Sequence, residues 1–331
     1  MERENDISVA SSGSSGMNTT VVVCTYNRCQ SLPAVLESLA FQVMPDTITW
    51  EIVVIDNNST DETREVVAEA ARKWPGRFRY IFEHRQGLSF ARNRGVSEAR
   101  GSVIAFTDDD VKINPDWLCN LTSNLHAGEW AGAGGRIVPI WGKPVPAWMS
   151  LHDPHTMGPF AVFDFGENQK PLSRPPYGAN MAFRKDVFQK YGGFRTDLGR
   201  SGTNLHGRED TELGERLFAA GERLSYEPEA VVSHPNPSNR MTKKFVLRWW
   251  FWFGYGEIVQ EGLPSNVRFV LNGIPLYLFR RMVRWALQWM VTFNPPKRFS
   301  CIRNISYLAG IAFACHRFQR ISETQIATDL K

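Results

Sequence analysis

Short apolar runs separated by amphipathic stretches dominate the amino-terminal part of the chain. Thr20 to Cys24 (TVVVC) reads as a β-branched strand, Trp50 to Ile55 (WEIVVI) as a second, Phe78 to Phe82 as a third and Val103 to Phe106 as a fourth. Helical spacing fills the intervals, from Ser31 to Gln42, from near Thr60, and from Ser89 to Arg100, where Gly101 stops it. Thr60-Asp61-Glu62-Thr63 and Ser89 supply the capping residues. Strands alternating with helices of this length predict an α/β fold with a mostly parallel, doubly wound sheet flanked by helices.

From Pro139 to Pro176 the pattern dissolves into Pro, Gly and aromatic residues, a long loop of the kind that is usually functional. A strand candidate follows at Ala179 to Phe183 and a helical stretch at Arg208 to Ala220. Beyond His234 the character changes, which divides the chain into a polar leader (1–18), a catalytic domain (19–238) and a helical region (239–331), with no internal repeats.

Composition narrows the choices. The 331 residues are 43 % apolar and 22 % charged, too apolar for a disordered protein. Five scattered cysteines without a CxxC argue against a disulfide framework and a structural zinc, and fit a reducing compartment. MERENDISVASSGSSG lacks an apolar core and is no secretory signal; Met17 suits the start of the folded part. The net charge of +4 hides an asymmetry: residues 241–320 carry twelve Lys or Arg against two acids, together with five of the eleven tryptophans.

Ligands of open α/β sheets bind beyond the carboxyl ends of the strands. Two acidic clusters stand there, Asp56 and Asp108-Asp109-Asp110. Three carboxylates closing an apolar strand need a counter-cation, for which Mg2+ or Mn2+ shared with substrate phosphates is the usual solution. The alternative is a solvated acidic turn capping a helix that begins near Asn114.

Six motifs then occur in order: CTYNR (Cys24–Arg28), IDNNSTD (Ile55–Asp61), GLSFARNRG (Gly87–Gly95), FTDDD (Phe106–Asp110), GANMAFRKDVF (Gly178–Phe188) and GREDTELGERL (Gly207–Leu217). Over about residues 19–235 the chain resembles a bacterial family 2 glycosyltransferase with the A-type nucleotide-sugar fold. The resemblance implies that Thr25, Tyr26, Asn27 and Asp56 contact base and ribose, and that Arg92 and Asn93 contact the nucleotide. It implies that Asp108 approaches ribose and cation, that Asp110 binds the metal, and that Asp109 assists or faces solvent. Gly178 and Asn180 would lie beneath the donor sugar, with Asn180 on a sugar hydroxyl. Asp210 would be the catalytic base, Glu209 would orient the acceptor or a neighbouring group, and His234 would reach the metal or diphosphate. His206 is a weaker candidate. A single base opposite the leaving group implies inversion of the anomeric centre.

On a helical wheel, Leu276 to Phe293 gathers Arg280, Arg281, Arg284 and Gln288 in one narrow sector. This is the pattern of a helix lying in a membrane interface; a packed cap or a dimer face is the other reading. Three central arginines oppose spanning, and Ile305 to Cys315 is too short to cross. The Gln-x-x-Arg-Trp element of processive synthases is incomplete, since Phe245 precedes Arg248-Trp249 in the Gln position. The expected activity is therefore transfer of one sugar at a time from a nucleoside-diphosphate sugar. The expected acceptor is a saccharide or lipid-linked saccharide, at the cytoplasmic membrane face, with no nucleic-acid partner. A sugar nucleotidyltransferase and a non-catalytic nucleotide-sugar-binding protein are the competing readings.

Overall fold

The computed structural model describes residues 17–200, 207–265 and 270–329, with side chains as far as residue 319. Most of the leader and His206 lie outside the described residues. The chain opens with β1 (Thr19–Thr25), α1 (Leu32–Ala40), β2 (Trp50–Asp56), α2 (Thr63–Lys73), β3 (Phe78–Phe82), α3 (Leu88–Glu98) and β4 (Val103–Asp108). It continues through β5 (Lys112–Ile113), α4 (Trp117–His126), β6 (Gly132–Trp141), α5 (Pro154–Met157), β7 (Lys170–Pro171), β8 (Asn180–Arg184), α6 (Lys185–Tyr191), α7 (Glu209–Ala219) and β9 (Leu224–Asn236). A helical region closes it: α8 (Lys243–Glu261), a small hairpin of β10 (Val270–Leu271) and β11 (Ile274–Pro275), α9 (Leu276–Val291) and α10 (Pro295–Asp329).

The main sheet runs β3-β2-β1-β4-β8-β6-β9-β5, with β7 added on β9. Its first four strands are parallel, which requires the crossovers that α1, α2 and α3 supply. At β8 the direction reverses: β8 is antiparallel to both β4 and β6, while β6 and β9 are parallel. β1 and β2 are buried on both faces by helices, which is why they read as continuous apolar runs.

Several boundaries differ from the sequence expectations. Ser89 is not a cap: α3 starts one residue earlier from Gly87, and the Ser89 hydroxyl donates to Leu198 O at 2.7 Å. α2 begins at Thr63 rather than near Thr60, and Asp61 binds the Thr63 backbone and hydroxyl. The region taken as irregular from Pro139 contains the end of β6, a strand the polar and glycine-rich sequence concealed. Gly132, Gly134 and Gly135 leave no room there: an added Cβ would come within 2.4 Å of Phe183, 2.6 Å of Pro176 and 2.3 Å of Ala230 O.

Residues 141–162 do not hang free. Met149, Met157 and Phe160 form one apolar cluster with Met241, Val246, Trp250 and Phe299, so the loop is the mortar between the sheet and α8 and α10. Arg303 of α10 reinforces it through a partly buried bond to Asp153 at 2.7 Å. No helix among the described residues is long and apolar enough to cross a membrane.

Candidate active site

Register places the acidic strand ends side by side. Thr25 pairs with Asp56, and Cys24 with Asp108, so β1, β2 and β4 terminate on one edge. The antiparallel β8 brings Asn180 to that edge opposite Thr107. Immediately after the aspartates, β5 pairs Lys112 with Ser233 and Ile113 with Val232, which draws Asp110 to His234. Asp108, Asp110 and His234 each offer a ligand atom within 4.8 Å of one another. These three residues come from segments over a hundred positions apart, joined by a two-residue strand.

Burial and neighbouring charges act on every group of this corner. Burial pushes the His234 imidazole down, so it presents a neutral ring, and its Nδ1 is buried without a hydrogen-bond partner. Burial also pushes Asp109 up to about 7, with Arg28 opposing and Asp110 and Asp108 adding to the shift. Arg28 Nη1 donates to Asp110 Oδ2 at 2.8 Å and supplies the counter-charge.

A second group is assembled by α7. Glu209 Oε1 accepts from Arg92 Nη1 at 2.6 Å in a buried ion pair. Burial and the Asp210 charge push the Glu209 carboxyl up, against the pull of Arg92. Asp210 is held by backbone donors: Gly178 N–H to Oδ2 at 2.8 Å and Thr211 N–H to Oδ1 at 2.7 Å. Arg92 also feels the charges of Asp210 and Asp108, and so is attracted by both groups of acids.

Residues 20–192, just over half of the chain, match Glycosyl transferase family 2. The chain belongs to that family. It is 29 % identical over 248 residues to the succinoglycan biosynthesis protein ExoM of Rhizobium meliloti, covering 74 % of this chain and 76 % of that protein. It is 29 % identical over 253 residues to a glucosyl-dolichyl phosphate glucuronosyltransferase of Haloferax volcanii, covering 74 % and 78 %. Among solved structures it is similar to a mannosyltransferase of Pyrobaculum calidifontis in complex with GDP-Man and Mn2+. That match has a TM-score of 0.53 at 19 % identity, covering 96 % of this chain and 82 % of that one. The A-type glycosyltransferase fold expected from the motifs is thus the fold of the chain, and the chain is a glycosyltransferase.

Within this family 2 chain, several expected contacts are committed elsewhere. Asn180 is fully buried: its Oδ1 accepts from Trp117 Nε1 at 2.8 Å and its Nδ2 donates to Arg136 O and Ala230 O. It bolts β8 to β6 and β9 and does not face a sugar hydroxyl, contrary to the sequence expectation. The Asn93 amide is likewise occupied, exchanging both bonds with the Phe194 backbone. Gly178 meets Arg92: an added Cβ would stand 1.8 Å from Nη2. Asp56 accepts from Ser59 N–H at 2.9 Å and Tyr80 Oη at 2.8 Å. Asn27, left-handed at φ 51°, accepts from Thr60 N–H at 2.8 Å beside the exposed Tyr26.

One residue of the corner escaped the sequence reading. Arg240 lies beyond β9, faces Asp110 and Asp108, and is repelled by Arg200 and Arg28. The expected domain boundary after residue 238 left it in the helical region; the signal available was a basic residue shortly after a strand-end histidine.

Proposed function

We propose that the chain is a metal-dependent, inverting glycosyltransferase. It moves one sugar at a time from a nucleoside-diphosphate sugar to a hydroxyl of a saccharide or lipid-linked saccharide at the cytoplasmic membrane face. The observation that carries this reading is the Asp108, Asp110 and His234 group, with Arg92 attracted by both Asp108 and Asp210.

Two carboxylates and a neutral imidazole whose buried Nδ1 lacks a partner fit a small divalent cation. Asp108, Asp110 and His234 would hold it. When bound, Mg2+ or Mn2+ neutralises the departing diphosphate as a Lewis acid. Arg28 and Arg200 repel Arg240 across the same corner, and a polyanion relieves that repulsion. Asp210, oriented by the Gly178 and Thr211 N–H groups, takes the proton of the acceptor hydroxyl. The acceptor oxygen bonds to the anomeric carbon as the bond to the diphosphate oxygen breaks on the opposite face, which inverts that carbon. The relatives support this chemistry: one solved neighbour holds GDP-Man and Mn2+, another UDP, GalNAc and Mn2+. The succinoglycan and dolichyl-phosphate relatives support the acceptor class.

The carboxy-terminal helices support the membrane location. Leu278, Met282 and Trp285 of α9 pack on the cluster formed with α8 and α10. Leu276, Phe279, Val283, Leu287 and Met290 form an exposed apolar stripe flanked by the exposed Arg280, Arg281 and Arg284. An apolar stripe edged by arginines matches the boundary between acyl chains and anionic headgroups.

The test is a donor panel of UDP-, GDP- and dTDP-sugars with Mn2+ and a saccharide acceptor, reading nucleoside diphosphate release and the anomeric configuration of the product. Asp110→Ala abolishes metal-dependent donor binding, whereas Asp210→Asn keeps donor binding and stops turnover. Release of pyrophosphate, or near-normal transfer by Asp210→Asn, overturns the assignment.

A further inference from the structure

α7 is entered through Arg208, whose backbone is left-handed at φ 80°. A residue with a Cβ is strained there, and such strain persists only where the surroundings over-determine it. The surroundings here are the carboxyl end of α8. Arg208, 6 % exposed, donates from Nε to Gln260 Oε1 at 2.8 Å. Its Nη atoms stand 3.8 Å from Glu257 and 3.9 Å from Glu215 and Glu261. Its guanidinium also lies 4.7 Å from the centre of the Phe253 ring.

The same helix end is gripped from the other side. Arg195, paired with Asp197 at 2.7 Å, donates to Gln260 O at 2.9 Å and Val259 O at 3.0 Å. Gln260 Nε2 in turn donates to Glu215 of α7. The last carbonyls of a helix have no partners within it and favour cations. Three carboxylates crowded together there repel each other, and burial with Glu257 pushes the Glu261 carboxyl up. Arg208 is the cation buried among them, and it directly precedes the Glu209-Asp210 pair in the chain.

We propose that Arg208 is a positioning residue through which the carboxyl end of α8 fixes the first turn of α7 and so the orientation of Asp210. The inference rests on the proposed role of Asp210 as base. It makes the helical layer part of the catalytic apparatus, since the layer that carries the exposed stripe of α9 also holds the base in place.

Two amides report the position of this turn: Glu212 N–H, which donates to Arg208 O at 2.8 Å, and Gly178 N–H, which donates to Asp210 Oδ2 at 2.8 Å. Hydrogen exchange at both is measured in the full chain for Glu257→Gln/Glu261→Gln, which leaves α7 untouched, and for Arg208→Gly, which accepts the backbone angle but removes the clamp. Exchange accelerates about tenfold or more in each, while the β1 and β2 amides keep their protection. In turnover, kcat falls about tenfold or more at a donor KM within about threefold of wild type. Combining the two sets of substitutions adds no further loss, and Arg208→Lys restores part of the rate. Unchanged exchange in Glu257→Gln/Glu261→Gln, or additive losses in the combined variant, overturns the proposal. If the wild-type chain turns over no donor, the proposed function fails, and the exchange measurement still decides whether the clamp exists.

Discussion

Glu209→Gln keeps the volume of the side chain and removes its charge. The carboxylate it replaces lies 2.6 Å from Arg92 Nη1, and the two side chains are 6 % and 4 % exposed. Arg92 has nowhere to turn: Nη2 packs on Gly178, and the Phe194 ring covers the guanidinium at 5.5 Å. Breaking a buried pair from one side costs about 3–5 kcal/mol, because a charge is left without its partner. Two neighbours reduce that figure. Asp210 and Asp108 also attract Arg92, and burial together with Asp210 already works against the Glu209 charge. The expected loss is about 2–4 kcal/mol, a fall of about 3–6 °C in apparent Tm for a chain of this size. Thermal unfolding at neutral pH without ligand measures it. The companion variant Arg92→Met/Glu209→Gln replaces both charges and recovers at least half of the loss, since no charge remains buried. A Tm for Glu209→Gln within about 2 °C of wild type would refute the reasoning: the pair would then contribute nothing to folding.

Gly310 of α10 touches the backbone of α8, where an added Cβ would stand 1.9 Å from Phe251 O and 3.1 Å from Tyr255 N. Gly310→Ala must part the two helices and costs about 1–3 kcal/mol, read as a lower Tm; an unchanged melt contradicts the close crossing. Glu83 is held at about 2, below its ordinary 4.5, by Arg85 side-chain bonds that outweigh burial. Its contribution is complete above pH 4.5 and disappears as pH falls toward 2, so wild type loses up to about 3 kcal/mol more than Glu83→Gln across that window. That is an upper bound because Arg85 is half exposed; parallel acid melts of the two proteins would contradict it. Replacing Arg280, Arg281 and Arg284 with Gln releases the protein from anionic vesicles in a sedimentation assay. Undiminished sedimentation favours an apolar contact alone.

β1, β2 and β4 were legible because burial on both faces keeps their central positions apolar, and the motifs at their ends named the chemistry. β6 was illegible for the converse reason. Its glycines are dictated by Phe183, Pro176 and Ala230, residues far along the chain that must first be packed against it. Asn180 shows the same limit within the site: the sequence marks a polar residue at a strand start, but only the arrival of Trp117, Arg136 and Ala230 reveals that its amide is occupied.

By itself, then, the sequence determined the class of fold, the acids at the sheet edge and the amphipathic character of the tail, all of which follow from local periodicity and from residue type. It could not separate the apolar remainder of α9 into a side packed on α10 and a side left bare, because the wheel sees one helix and no neighbour. Nor could it pair Arg92 with Glu209 or Arg208 with α8. Those pairings depend on register and crossing between distant segments, and only the folded chain brings such groups within the few ångströms at which their charges and hydrogen bonds act.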